Sequence, residues 1–69
     1  MSLMNLTLNG QAREVVMGVT LSELLASLEL AEKLVLVERN GDAIPRADFP
    51  IVTLGEGDTI EIVRMVGGG

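Results

Sequence analysis

The stretch Thr59-Ile60-Glu61-Ile62-Val63-Arg64-Met65-Val66, which runs directly into Gly67-Gly68-Gly69, decides how the rest of the chain is read. Ile60 and Ile62 fall on one side and Glu61, Val63 and Met65 on the other, the period of two that marks a strand. A strand leading into three glycines is unusual, because glycine has no side chain to pack and the most backbone freedom to lose on ordering. Extended, three residues reach roughly 10 Å beyond the strand. The tail is therefore either a frayed terminus or a probe thin enough to enter a narrow site on another protein. On the tail alone both readings stand.

Working outward, Gly55-Glu56-Gly57-Asp58 is a turn that delivers the chain to this strand. Further upstream, Leu34-Val35-Leu36-Val37 is continuously apolar and predicts a strand buried on both faces or nearly so. Glu38-Arg39 and the turn Asn40-Gly41 end it. Ala43-Ile44-Pro45 suits a short edge strand, since proline has no N–H to give a neighbour. Residues 46–54 read as irregular; Pro50 restricts Phe49 to an extended conformation, and Phe49 reads as the anchor that holds this connection on the core. At the start of the chain, Met4-Asn5-Leu6-Thr7-Leu8 alternates as a half-buried strand. Asn9-Gly10 follows, a strong hairpin signal because both residues tolerate positive φ. The return strand runs from Gln11 to Met17, its register unassigned because Val15 and Met17 compete with Ala12 and Val16 for the inner face. Gly18 breaks it. Thr20-Leu21-Ser22-Glu23 is a capping box, and Leu21, Leu24, Leu25 and Leu28 form one apolar stripe of a short helix ending near Leu28 to Leu30.

Strand, hairpin, strand, helix, strand, turn, strand describes an α+β domain. The helix must cross the sheet, normally with right-handed connection, and it can cover only one face of so small a sheet. The compact solution is a β-grasp: a mixed sheet of four to five strands packed on one helix, with the first and last strands central and parallel. Residues 1–66 then form the domain and residues 67–69 a flexible tail on a fixed base, so that docking the body aims the tip.

Composition narrows the chemistry. At 69 residues the chain is one domain. It has no cysteine and no histidine, hence no disulfide, no thiol nucleophile and no imidazole base. Stability has to come from an aliphatic core, and 48% of the residues are apolar. A net charge of −5 and a single aromatic residue argue against nucleic acid, which asks for cations on phosphates and rings under bases. No run approaches a membrane span, and Met1-Ser2-Leu3 lacks the features of an export signal. A cytoplasmic protein is expected, with Met4 as its natural start. Gly55-Glu56-Gly57 has the wrong spacing for a phosphate loop and no following Lys-Ser/Thr. Glu56 and Asp58 lack further oxygen ligands at calcium-loop spacing. The body reads as non-catalytic, without metal or cofactor. Glu56, Asp58 and Glu61 read as solvated carboxylates that could also meet a basic partner.

One group remains, the α-carboxylate of Gly69, ionised at neutral pH. A carboxylate is a poor electrophile. Attack on the α-phosphate of ATP converts it to an acyl-adenylate with loss of pyrophosphate, and a sulfur donor can then displace AMP to leave a thiocarboxylate. An enzyme with its own ATP site has to do this, with the glycines threaded into it. Arg64 and Met65, close to the tail, are candidate partner contacts or surface cover for a strand end.

Leu54-Gly55-Glu56-Gly57-Asp58-Thr59-Ile60-Glu61-Ile62-Val63-Arg64-Met65-Val66-Gly67-Gly68-Gly69 resembles the C-terminus of the thiamine-biosynthesis sulfur carrier family, ThiS. Val37-Glu38-Arg39-Asn40-Gly41, Ile44-Pro45-Arg46 and Thr20-Leu21-Ser22-Glu23-Leu24-Leu25 resemble it too, so the likeness covers the chain from Met4 onward. The resemblance implies a ubiquitin-like fold and a carrier that is a co-substrate, not an enzyme. It implies an adenylating partner of the ubiquitin-activating kind, a sulfur donor protein, and thiazole synthase as the recipient of sulfur. Gly69 carries over as the covalent site, and Gly67 and Gly68 as the tail that threads into a partner. Three alternatives share part of this pattern: the small subunit of molybdopterin synthase, a ubiquitin-like modifier, and a plain β-grasp interaction module.

Overall fold

The computed structural model describes residues 2–65. Among them the chain forms β1 (Leu3–Leu8), β2 (Gln11–Val16), α1 (Leu21–Ser27), β3 (Val35–Arg39), β4 (Asp42–Ala43) and β5 (Thr59–Arg64), with single 3₁₀ turns at Glu32–Leu34 and Arg46–Asp48. The expected strand end at Val66 and the tail Gly67-Gly68-Gly69 lie outside the described residues, as does Met1.

The strands form one sheet in the order β2-β1-β5-β3-β4. β5 is in the middle, parallel to β1 and antiparallel to β3. This is the expected β-grasp, with first and last strands adjacent and parallel. The sequence forms the hairpins where Asn-Gly permits them. Asn9 and Gly10 have φ of 48° and 82°, Asn40 and Gly41 of 52° and 89°. Those left-handed pairs give the two-residue turn whose twist matches its flanking strands.

The helix starts on the expected capping box. Glu23 N–H donates to Thr20 Oγ1 at 3.1 Å, and Thr20 N–H donates to Glu23 Oε1 at 2.8 Å. Two more donors of the first turn are taken by the connection before β5: Leu21 N–H donates to Val52 O at 2.9 Å and Ser22 N–H to Phe49 O at 3.1 Å. The helix closes with Glu29 N–H on Ala26 O and Leu30 N–H on Leu25 O, both 3.0 Å. That is the two-bond Schellman ending, with Glu29 holding the left-handed position (φ 58°) that glycine usually fills.

Leu21, Leu24 and Leu25 of α1 pack on Met4 and Leu6 of β1, Val35 and Val37 of β3 and Ile60 of β5, and Phe49 and Leu54 complete the buried cluster. Leu28 joins it only in part. Register settles β2: Val15 is opposite the buried Met4 and packs against the core, Val16 is opposite Leu3 and exposed, and Met17 follows the strand, exposed.

Three expectations need correction. Leu34-Val35-Leu36-Val37 is not buried on both faces; Val35 and Val37 are buried, but Leu34 and Leu36 are 47% and 57% exposed. α1 covers one face and no described element covers the other, so a continuous apolar run sits in a half-exposed strand. Phe49 is not extended: its φ and ψ are −51° and −44°. Its N–H closes the Arg46–Asp48 turn on Arg46 O at 3.1 Å, and that turn overrides the local preference before Pro50. The edge strand is Asp42–Ala43, earlier than Ala43-Ile44-Pro45, although Ile44 N–H still donates to Val37 O at 2.9 Å.

Candidate functional site

β5 leads toward the tail, so the site is built around what fixes this strand. Both Asn-Gly turns do more than reverse the chain. Asn40 Oδ1 accepts from Thr59 N–H at 2.9 Å, at the strand's start. Asn9 Oδ1 accepts from Ile62 N–H at 2.7 Å, and Asn9 Nδ2 donates to Ile62 O at 3.2 Å, further along and on the opposite side. The paired Cα positions of β1 and β5 end at Leu8 and Ile60. The Asn9 carboxamide, shaped like a peptide group, supplies the next rung. At the far end Met65 N–H donates to Leu34 O at 2.8 Å. The base of the tail is thus held up to Met65, the last described residue.

The entrance to β5 is held by Asp58, which sequence reading grouped with the solvated carboxylates. It is 9% exposed. Its Oδ2 accepts from Gly55 N–H at 2.7 Å and Arg39 Nε at 2.9 Å, and its Oδ1 from Asn40 Nδ2 at 3.1 Å. Burial pushes the carboxyl pKa up, but the Gly55 and Asn40 hydrogen bonds and the Arg39 hydrogen bond and charge outweigh it, so the net shift is downward. Asp58 is a strut between the β3–β4 turn and the start of β5. Glu56 is likewise committed, its Oε1 accepting from Asn5 N–H at 3.1 Å. Glu61 is exposed, as read, directly opposite Glu38.

The lowered pKa fixes a sign. The ionised Asp58 stabilises the fold at pH values above the ordinary aspartate range, near 4, and that contribution disappears as pH falls through the lower value of the folded state. Wild type is expected to exceed Asp58→Asn in urea-unfolding stability at pH 7, and the gap to close in strong acid. A gap unchanged from pH 7 to about pH 2 would show that the carboxylate charge contributes nothing.

Arg64 and Met65 diverge. Arg64 continues the Ile60–Ile62 side and lines an open groove with Leu8, Asn9, Leu28, Leu30 and Ile62. Met65 belongs to the face that α1 leaves open. On that face Leu36 and Val63 are directly opposite each other, 57% and 58% exposed, with Leu34 and Met65 next to them. Beside this apolar group the exposed Glu38 and Glu61 form a like-charged cross-strand pair, an unfavourable placement. Sequence reading missed the group at Leu34 and Leu36 because it assigned them to a core. It read Asn9 and Asn40 only as turn residues; asparagine in preference to glycine at both turns was the available signal. Among the described residues no three His, Cys, Asp or Glu side chains gather to hold a metal ion. Gly67, Gly68 and Gly69 lie outside the described residues.

This architecture has solved relatives. The crystal structure of the thiamine biosynthesis protein ThiS from Geobacter metallireducens superimposes with a TM-score of 0.82 at 38% identity, over 96% of this chain and 100% of that one. The solution structure of a thiamine biosynthesis protein from the same organism gives 0.80, over 96% and 88%. The sulfur carrier protein ThiS of Bacillus subtilis is 48% identical over 50 residues, 72% of this chain and 76% of that one. A chain from Paramagnetospirillum magneticum named thiazole synthase is 36% identical over 66 residues, and one so named from Magnetococcus marinus 41%. This chain covers 96% of itself in those matches but spans only about 20% of either relative. The ThiS family model matches residues 6–69, from the second core position of β1 through the glycine tail. With the sheet order, the strand that leads to the glycines and this match in agreement, the chain belongs to the ThiS family.

Proposed function

We propose that the chain is a sulfur carrier of thiamine biosynthesis and that the carboxylate of Gly69 is its working group. The observation that carries this reading is the fixed end of β5. Two asparagine side chains and the Leu34 carbonyl hold the strand to within one residue of Val66, and the glycine tail follows in sequence. A rigid base gives a thin tip a defined direction. An adenylating enzyme joins the Gly69 carboxylate to the α-phosphate of ATP with loss of pyrophosphate. The outer sulfur of a persulfide on the donor protein displaces AMP, and a thiol then reduces the acyl disulfide so formed. The thiocarboxylate released is delivered to thiazole synthase. Glycines at 67, 68 and 69 suit a channel that admits bare backbone. The chain itself contributes no acid, base or metal to these steps; it presents the carboxylate and the surface by which partners grip it.

The test is to co-express the chain with the adenylating enzyme and sulfur donor of its own organism and to weigh it. Exchange of one oxygen for sulfur at the C-terminus is expected. Conjugates on other proteins would point to a modifier instead, and an unchanged mass under active conditions would leave an interaction module.

The apolar group Leu34, Leu36, Val63 and Met65 is the partner-facing surface in this reading. Exposed apolar side chains clustered beside a functional tip mark interaction sites more often than scattered ones do. Leu36→Glu is expected to weaken binding to the adenylating enzyme by about tenfold or more, the scale of losing one well-buried contact. Its urea midpoint should stay within about 0.5 kcal/mol of wild type, because Leu36 is exposed. Unchanged binding in titration calorimetry would remove this face from the interface.

A further inference from the structure

We propose that the notch beside Arg64, where β1 has turned away from β5, receives an extended segment of thiazole synthase as an added strand. This rests on the sulfur-carrier reading and deepens it by giving one partner a docking position.

The argument starts from backbone alternation. Odd-numbered residues of β5 direct their main-chain groups toward β3: Thr59 O accepts from Asn40 N–H, and Met65 N–H, just past the strand, donates to Leu34 O, both at 2.8 Å. Even-numbered positions face β1. Asp58 O accepts from Thr7 N–H and Ile60 O from Asn9 N–H, both at 2.9 Å. Ile62 uses both its groups on the Asn9 side chain. Arg64 is the next even position. By then the Asn9-Gly10 turn has carried the chain off to β2, and among the described residues nothing pairs with the Arg64 main chain on that side. One donor and one acceptor are left in strand geometry, in line with β1.

The space alongside has the form a strand would need. A groove of about 350 Å³ runs past Arg64, lined by Leu8, Asn9, Leu28, Leu30 and Ile62. The Schellman ending of α1 sets Leu28 and Leu30 as its wall. A strand added next to Arg64 would turn alternate side chains into this groove. Main-chain bonds would supply affinity and the apolar groove selectivity. The cation at the rim is Arg64, on a chain whose net charge is −5. The segment therefore has an apolar side chain facing inward and a carboxylate near Arg64.

Two observations commit the occupant to thiazole synthase. In the Paramagnetospirillum and Magnetococcus relatives, the matching region is carried within a chain named thiazole synthase. A domain of this type and that enzyme therefore occur on one polypeptide. In this chain Gly67 follows Arg64 by three positions, so a strand docked at Arg64 would lie beside the tail where the tail enters the enzyme.

Amide hydrogen exchange of the ¹⁵N-labelled full chain, free and saturated with unlabelled thiazole synthase of its own organism, tests this. In the free chain the Arg64 amide should exchange quickly and the Met65 amide, bonded to Leu34 O, slowly. In the complex the Arg64 amide is expected to slow by ~100-fold or more. Arg64→Ala and Arg64→Pro then separate side chain from main chain: both lose the charge, but only proline loses the N–H. The proline variant should bind at least ~5-fold more weakly than the alanine variant, provided Met65 protection shows β3–β5 intact. An Arg64 amide that exchanges in the complex as it does free, or equal affinity of the two variants, overturns the strand. If the two proteins do not associate at all, the carrier reading toward this enzyme fails and the docking site with it; association without Arg64 protection fails the docking site alone.

Discussion

Deleting Gly68 and Gly69 is expected to abolish sulfur transfer while leaving the folding transition where it is. The two halves of this expectation have separate causes. The buried core runs from Met4 to Ile60, and glycine has no side chain to add to it, so stability should stay within about 0.5 kcal/mol. Chemistry is far less tolerant. Two extended residues withdraw the terminal carboxylate by about 7 Å. Reacting atoms have to approach to about 3–3.5 Å, and a misplacement of about 1 Å can already cost a hundredfold. A carboxylate left 7 Å short of the ATP α-phosphate is out of reach, because the body is stopped by its own docking surface. Gly69→Ala is the milder companion. It keeps the length and adds one methyl group where the channel must close around backbone, so it should slow adenylation without preventing it. The measurements are urea unfolding for the fold and, for function, thiazole formation reconstituted with the partner enzymes. Thiazole formation by the truncated chain at the wild-type rate would refute the assignment of the tail.

Most of the scaffold could be read because its determinants are local. The capping box Thr20–Glu23 and the Asn9-Gly10 and Asn40-Gly41 turns act within four residues and form as written, and the leucine stripe of α1 rests on neighbours three and four residues apart, with Leu28 only partly buried past its end. The pairing of first and last strands also followed, because one helix on a small sheet leaves few ways to close it. What was not legible depends on contacts distant in sequence. Leu34 and Leu36 look like core in a continuous apolar run, yet no element among the described residues covers their face and they are surface. Asp58 looks like one more acid on an acidic chain, yet Arg39 and Asn40, 19 and 18 positions away, make it a strut. Asn9 reaches Ile62 across 53 positions, which no turn rule reports. Phe49 was placed correctly as an anchor but given the wrong backbone, since a 3₁₀ turn decided its conformation. For the site, the tail and its fixed base on the last strand were legible, but the Asn9, Asn40 and Asp58 side chains that hold that base were not.

That misplaced backbone bears on the second large effect. Phe49→Ala is expected to destabilise the domain by about 3–5 kcal/mol, the usual cost of removing a buried phenylalanine. For a chain of this size the total stability is about 3–10 kcal/mol, at 0.05–0.15 kcal/mol per residue. The variant should therefore be largely unfolded or close to it at 37 °C. The loss should fall near the upper end, because Phe49 links two elements. Its ring is only 1% exposed. Its carbonyl accepts from Ser22 N–H, and Val52, three residues on, accepts from Leu21 N–H. Removing the ring frees the connection that satisfies these first-turn donors of α1, so the cavity and the loosened helix start act together. Phe49→Leu keeps most of the volume and should cost less, about 1–1.5 kcal/mol. Urea denaturation followed by far-ultraviolet circular dichroism measures both. A Phe49→Ala loss below about 1 kcal/mol would mean that the connection holds the helix through its main chain alone and that the ring merely fills space. In a carrier of this kind that distinction reaches function: a body that unfolds cannot aim its tail, so Phe49→Ala should fail in sulfur transfer at 37 °C and recover in the cold, whereas the truncated chain fails at every temperature.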